Sequence, residues 1–411
     1  MAVGTFRSFR NRNYTLFFCG QSVSQIGTWM QRTAVIWVVY TITHSAFMLG
    51  LTVFAQQFPS FLLSLWGGIV ADRYPKYRVL LVTQFASLLQ AVLLAALVLS
   101  HSDTVWAILA LSVVLGVINA FDIPARQPMI QEMLNDPDDL VNALSLNSAM
   151  VNIARLVGPA LSGIILQKFG AGICFSLNAL SFLAVLTSLL LMKILQQPAA
   201  QVKSKTSVAL AEGFAYLKQT PEIRITLLFL VLVSFFILPY NTLLPVFAKV
   251  IYKGDATTFG YINSFMGAGA VAGTFFLASL KTGKNLKRVL FWSAVLLGIS
   301  LILFSRMSSF PLGMVAVVLC GFSTLCISTG CITIVQVAST KNMRGRVMSY
   351  LAMGYLGMLP LGSLLIGWLS QKFGTPYVIL SQGCASMLVA GIFFNFLYKG
   401  KPEVKPARIN D

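Results

Sequence analysis

The sequence predicts an all-α polytopic membrane protein: twelve transmembrane helices in two pseudo-symmetric six-helix bundles. Three observations carry this. Hydrophobic residues fill 57% of the 411 positions and charged ones only 10%, where a globular domain carries about 45–50% and 25%. The apolar stretches sort into twelve segments, each near the roughly 20 residues a helix needs to cross a hydrocarbon core. An internal repeat relates the first six segments to the last six. A soluble enzyme is excluded, because the spans leave little chain for an extramembrane catalytic domain.

In chain order the spans fall near 14–40, 46–71, 78–100, 104–128, 140–167, 171–193, 224–248, 258–280, 288–305, 309–336, 345–371 and 375–398. The first opens basic and then apolar, as a signal peptide does. No small-residue cleavage site precedes the next polar turn, so this helix is expected to be retained. Sidedness follows from the charges. With a cytoplasmic N-terminus, 23 of the 30 Lys and Arg residues fall in cytoplasmic segments and 5 outside (Lys168, Lys249, Lys253, Arg306 and Lys372), while Arg32 and Arg155 lie within spans. That asymmetry places both termini in the cytoplasm of a multi-pass cytoplasmic (inner) membrane protein. The formal net charge of +18 does not indicate nucleic-acid binding, because the charges are dealt out a few per loop rather than gathered on one surface. All six cysteines (Cys19, Cys174, Cys320, Cys326, Cys331, Cys384) lie within spans, and the only histidines, His44 and His101, sit in short external loops. No metal-ligand spacing results, and neither a metal nor a cofactor is expected.

Residues 194–222 form the one long polar connection, ending in the amphipathic run Val208 to Leu217. The predicted organisation is an N-terminal bundle 1–193, a cytoplasmic linker 194–222 with a short amphipathic helix, a C-terminal bundle 223–398 and a cytoplasmic tail 399–411. The repeat is visible within the chain. Leu161-Ser-Gly-Ile-Ile-Leu-Gln-Lys-Phe-Gly170 matches Leu365-Ile-Gly-Trp-Leu-Ser-Gln-Lys-Phe-Gly374 at an offset of 204. Met48-Leu-Gly50 at the start of the second span matches Thr258-Phe-Gly260 at the start of the eighth. A duplicated chain with its site between repeats is a transporter architecture.

Particular residues now resemble a family. Gly68-Ile-Val-Ala-Asp-Arg-Tyr-Pro-Lys-Tyr-Arg78 is similar to the cytoplasmic signature of the major facilitator superfamily, with Pro75 in place of its second glycine and Tyr77 in place of one basic residue. Gly158-Pro-Ala-Leu-Ser-Gly163 is similar to the Gly-Pro motif of its proton-coupled antiporters, with Ser162 and Ala154 replacing glycines. The Phe-Arg-Asn-Arg-Asn-Tyr opening and Gly345-Arg-Val-Met348 look closest to the drug and siderophore exporter branch, the enterobactin exporter family among them. The resemblance covers nearly the whole chain.

It implies that Gly68, Asp72, Arg73, Lys76 and Arg78 form a cytoplasmic latch that clips the halves together and releases on rearrangement. Asp72 there accepts from Arg73, Arg78 or a helix N-terminus; the alternative is a solvated turn whose basic residues set topology. Gly158 and Pro159 remove bulk and one backbone hydrogen bond, permitting a kink and a close helix approach. With Gly163, and with Gly269 and Gly273 in the eighth span, they are candidate packing and kink positions; if spans 5 and 8 face each other, as the resemblance implies, the glycines of the eighth span, Gly260, Gly267, Gly269 and Gly273, line the seam.

Polar groups in lipid are costly and mark functional candidates. Gln21, Gln25, Thr28 and Arg32 recur within an arc of about 60° on the first span, with Trp29 beside them. Asn119, Asp122 and Arg126 share one face of the fourth span; Thr329, Thr333 and Gln336 share one of the tenth; Tyr240 and Asn241 sit between Pro239 and Pro245, where the seventh span is expected to break. The resemblance implies that spans 1, 4, 7 and 10 line the cavity. The candidate cavity set is Gln21, Gln25, Trp29, Arg32, Asn119, Asn147, Arg155, Tyr240, Asn241, Thr333 and Gln336; the alternative for any single Thr or Gln is interhelical hydrogen bonding. Asp122 is the candidate proton-coupling residue, or else a second anchor for the loop around Arg73 and Arg78. The expected function is a monomeric secondary exporter of small amphiphilic, drug-like or siderophore-like molecules, by proton antiport with alternating access. The alternative is a facilitator-fold importer or lipid flippase. The expected partners are the small-molecule substrate, protons and the lipid bilayer.

Overall fold

The computed structural model describes residues 4, 6–102, 104–193, 206–280, 285–340 and 342–397, with the backbone alone for 206–211. The linker stretch 194–205, the tail 399–411 and the basic residues Lys281, Lys284 and Lys341 lie outside the described residues. Among the described residues helix follows helix and no strand occurs. A bilayer demands this, because every backbone N–H and C=O must be satisfied within the segment.

A 3-10 turn, Arg7–Arg10, leads into α1 (Arg12–Thr43), α2 (Ala46–Arg73), α3 (Lys76–Leu99) and α4 (Val105–Glu132). After the 3-10 turn Pro137–Asp139 comes α5 (Leu140–Leu191), then α6 (Thr206–Gln219) and α7 (Pro221–Phe236). A 3-10 turn (Leu238–Leu243), α8 (Leu244–Val246) and a π turn (Phe247–Ile251) extend α7 irregularly. The chain continues through α9 (Ala256–Ser279), α10 (Leu286–Arg306), α11 (Phe310–Ala338), α12 (Arg344–Phe373), α13 (Thr375–Ile392) and α14 (Phe394–Leu397).

Among the described residues ten elements are long and apolar enough to cross a membrane. One of them, Pro137–Leu191, has 55 residues, about 80 Å of helix against a hydrocarbon core of about 30 Å. Its helix is interrupted at Gly170, which leaves two lengths that each suffice for one pass. α1 is long enough at 32 residues, but Gln21, Gln25, Gln31 and Arg32 lower its hydropathy. With these two adjustments the helices fit the twelve spans.

Gly170 and Gly374 have φ of +81° and +89°, a region that a side chain opposes. Each closes a Gln-Lys-Phe-Gly stretch, so the repeated tetrapeptide is a repeated turn.

The chain forms two compact units. The first comprises 1–44, 55–202 and 254–264; the second comprises 45–54, 203–253 and 265–411. The units follow the six-helix halves except at the first turns of α2 and α9, which are exchanged. In the first unit, a Cβ on Gly163 of α5 would lie 2.7 Å from the Ala256 carbonyl oxygen and 3.0 Å from Gly260 Cα. In the second, a Cβ on Gly367 of α12 would lie 2.7 Å from the Ala46 carbonyl oxygen and 3.1 Å from Gly50 Cα. Gly163 and Gly367 are repeat partners, as are Gly50 and Gly260. One small-residue contact is therefore made twice, and it is where both weak sequence matches fall.

Within the first unit α1 packs closely on α5. A Cβ on Gly27 would sit 2.5 Å from Asn178 Oδ1. A buried amide chain ties the bundle together: Asn178 Nδ2 donates to Gln31 Oε1 at 2.7 Å, Gln31 Nε2 to Gln90 Oε1 at 3.0 Å, and Gln90 Nε2 to the Leu111 carbonyl at 3.1 Å. The amphipathic stretch of the linker is helical as α6, and it docks within the second unit by an ion pair from Glu212 to Arg346 and by Phe214 against Tyr350.

α7 stops at Phe236 because Pro239 lacks a donor and fixes its own φ. Gln382 of α13 fills the gap, its Nε2 donating to the Phe236 and Ile237 carbonyls at 3.2 Å each. The break that the two prolines suggested is thus a capped one.

Candidate substrate site

In the first unit, α1 and α5 bring three of the candidate residues together. Trp29 of α1 has Arg32 Cζ at 5.3 Å and Arg155 Cζ at 5.2 Å from its ring centroid. Both distances are within the roughly 6 Å over which a cation is drawn to an aromatic ring. Arg155 comes from α5, one turn before Gly158. That glycine is what lets the two helices meet: a Cβ there would lie 2.6 Å from Trp29 Cβ and 3.1 Å from the Ile26 carbonyl. Ser162, a turn further, donates to the Met30 carbonyl at 3.0 Å. The Gly-Pro stretch therefore seats Trp29, a role its sequence spacing does not reveal.

Charge in this region is lopsided. Arg155 Nε is buried with no hydrogen-bond partner among the described residues. Such a donor stands ready for an acceptor that the protein itself does not supply. The one buried carboxylate nearby is committed: Asp122, 1% exposed, pairs with Arg126 and accepts from Thr83 Oγ1 at 2.9 Å and Gln84 Nε2 at 2.7 Å. Arg126 thus holds this carboxylate, and neither Arg32 nor Arg155 makes an ion pair among the described residues. Gln21 is buried on α1, while Gln25, Asn119 and Asn147 are half-buried on α1, α4 and α5.

The second unit holds the remaining candidates. Tyr240 is fully buried in the α7 break, its hydroxyl donating to Met266 Sδ at 3.5 Å and lying 3.4 Å from Thr324 Oγ1. Next to it, Asn241 Oδ1 is buried and has no partner among the described residues. On α11 the hydroxyl of Thr333 is spent on its own helix, donating to the Thr329 carbonyl at 2.9 Å, and Gln336 is exposed.

At the motif between α2 and α3, Asp72, Arg73 and Arg78 are exposed and make no ion pair among the described residues. Lys76 instead pairs with Glu132 at the end of α4, at 2.6 Å, and the Tyr77 hydroxyl donates to the Leu189 carbonyl of α5 at 3.0 Å. Sequence reading missed Glu132, although an acid closing a span beside basic turns is a visible signal. A Cβ on Gly68 would meet nothing within 4 Å, whereas one on Gly67 would lie 1.9 Å from the Ala120 carbonyl oxygen of α4. Of the two glycines it is Gly67 that the packing requires. Gly269 and Gly273 face α11, where a Cβ would meet the Val318 carbonyl at 1.9 Å and the Phe322 carbonyl at 3.0 Å. The glycine of α9 that meets α5 is Gly260.

Residues 3–405 match the model of the transmembrane secretion effector family. The chain belongs to this major facilitator family. It is 28% identical over 396 residues to the staphyloferrin A transporter of Staphylococcus aureus, covering 92% of this chain and 94% of that one. It is 23% identical over 380 residues to the enterobactin exporter EntS of Escherichia coli, covering 91% and 89%. Among solved structures, the nucleoside transporter NupG superposes with a TM-score of 0.76 at 15% identity, covering 94% of this chain and 100% of that one. That last similarity speaks for the fold alone. A transmembrane secretion effector of this kind is a multi-pass membrane transporter, and its relatives handle siderophores and drugs.

Proposed function

We propose that this protein exports small anionic, siderophore-like molecules across the cytoplasmic membrane by proton antiport. The observation that carries the reading is the Arg32–Trp29–Arg155 cluster, with its unpartnered buried guanidinium nitrogen. An aromatic or polyoxygen anion suits it: its oxygens accept from Arg155 and Arg32, and its apolar part lies on Trp29. Within the first unit Gln21, Gln25, Asn119 and Asn147 are the further hydrogen-bonding candidates, and within the second Asn241, whose buried Oδ1 has no partner among the described residues, is the foremost. Asp72, Arg73 and Arg78, exposed at the turn between α2 and α3, are assigned the latch role.

Coupling is assigned to Asp122. Coulomb attraction alone favours joint binding of a proton and an anion, since neutralising Asp122 removes the counter-charge of Arg126. Antiport therefore requires that protonation dismantle the site: deprotonated Asp122 holds Arg126 and ties α3 to α4, and protonation releases both. The test uses everted membrane vesicles energised with a proton gradient and given metal-free staphyloferrin A or enterobactin. Wild type is expected to accumulate at least one. Arg155→Gln is expected to lose about 10- to 100-fold in affinity, the worth of one charged hydrogen bond. Asp122→Asn is expected to bind more weakly than wild type; tighter binding would overturn the antiport sign, and unchanged affinity in Arg155→Gln would overturn the site.

A further inference from the structure

Apart from the cargo site, the second unit carries an amphipathic groove of about 300 Å³. Asn285, Arg288, Trp292 and Leu296 line it in sequence order along α10, together with Phe276 of α9 and Phe322 of α11. Its lining contains no carboxylate. Positions 285, 288, 292 and 296 recur at the spacing of one helix face. They rise about 16 Å along α10, close to half of the roughly 30 Å hydrocarbon thickness. The polar end therefore falls at headgroup level when the apolar end reaches the midplane.

The outer surface of α10 is built for lipid contact. Trp292, Ile299 and Leu303 are 57%, 41% and 45% exposed and follow one another at helical spacing. A tryptophan near the polar end of such a face is the usual interfacial anchor. Lys287 serves a different purpose, with its ammonium 2.8 Å from Glu222 Oε1 and 4.7 Å from the Phe396 ring centroid. Arg288 is the cation among the residues that line the groove.

We propose that this groove binds an anionic phospholipid, with the phosphate at Arg288 and Asn285 and one acyl chain along Trp292, Leu296 and Phe276. A guanidinium suits a phosphate by donating in parallel through two N–H groups. A soluble phosphate ester satisfies only the short polar end, and the longer apolar stretch selects the lipid.

Native mass spectrometry of the purified full chain tests this, with titrations of dioleoyl phosphatidylglycerol, dioleoyl phosphatidylcholine and glycerol 3-phosphate at equal concentration. Wild type is expected to retain phosphatidylglycerol about five-fold over phosphatidylcholine, the worth of one basic residue beside an anionic headgroup. Arg288→Gln is expected to abolish that preference, Arg288→Lys to keep most of it, and Trp292→Ala to lower retention of both lipids. Arg306→Gln, at the other end of α10, keeps the wild-type ratio. An undiminished preference in Arg288→Gln overturns the proposal, as does retention of glycerol 3-phosphate equal to that of the lipid.

Discussion

Gly67 and Gly68 are adjacent in α2, and replacing each by alanine should shift stability in opposite directions. At position 67 the new Cβ would be placed 1.9 Å from the Ala120 carbonyl oxygen, where ordinary contact begins at 3.4 Å. Backbone stands on both sides, so no side chain can swing clear, and α2 and α4 must part by about 1.5 Å, the difference of those two distances. Overpacking of this kind costs about 1–3 kcal/mol; with two backbones opposed the upper end applies, offset by about 1 kcal/mol from replacing a helical glycine. Gly67→Ala should therefore lose about 2 kcal/mol. At position 68 the Cβ meets nothing within 4 Å, and only the propensity gain of about 1 kcal/mol remains. Thermal unfolding of the two purified variants in the same detergent reads the difference. If both midpoints move the same way, or Gly67→Ala matches wild type, the close approach of α2 to α4 is not what fixes this glycine.

Three further outcomes are expected. Gly158→Ala brings a Cβ to 2.6 Å from Trp29 Cβ, about 1 Å inside normal carbon contact; vesicle flux should fall at least ten-fold while the protein stays folded and monodisperse, and wild-type flux would dissociate Gly158 from the seating of Trp29. Gly163→Val and Gly367→Val should each cost about 1–3 kcal/mol, to similar extents because the contacts are copies; thermal midpoints showing loss at only one position would contradict the duplicated device. Gln382→Leu removes the donor from two freed carbonyls at the α7 break, costing about 1–3 kcal/mol at roughly 0.5–1.5 each; hydrogen exchange should quicken across 236–240, and unchanged exchange would assign the capping elsewhere.

Lipid made most of the architecture legible. A span must be apolar for its full length and its connections must carry charge, so twelve segments and their turns could be placed by inspection. The Gln-Lys-Phe-Gly repeat was readable for a similar reason, since Gly170 and Gly374 take a backbone conformation that other residues resist. Pro239 and Pro245 announced the α7 break, but not Gln382, whose role depends on carbonyls 145 and 146 positions away in the chain. Periodicity located the stripe on α1 and flagged Arg32 and Arg155 as costly cations; it carried no information about which helix stands opposite. Hence the meeting of Arg155 with Trp29, and the need for Gly158 between them, emerged only in three dimensions. The same blindness hid the buried amide chain, where Gln31 points about 100° around α1 from Arg32. It also put Gly269 and Gly273 against the wrong partner, because a glycine says that something comes close without saying what.

The crosswise pairing of small residues also bears on how this chain can be recombined. Ala256 and Gly260 follow the linker yet bear on α5, and Ala46 and Gly50 precede it yet bear on α12. A chimera that joins residues 1–193 of this chain to the second half of a relative would put both contacts at risk in a single cut. Grafts that carry each helix start together with its opposing glycine should express better, so the unit of inheritance here is the contact and not the half.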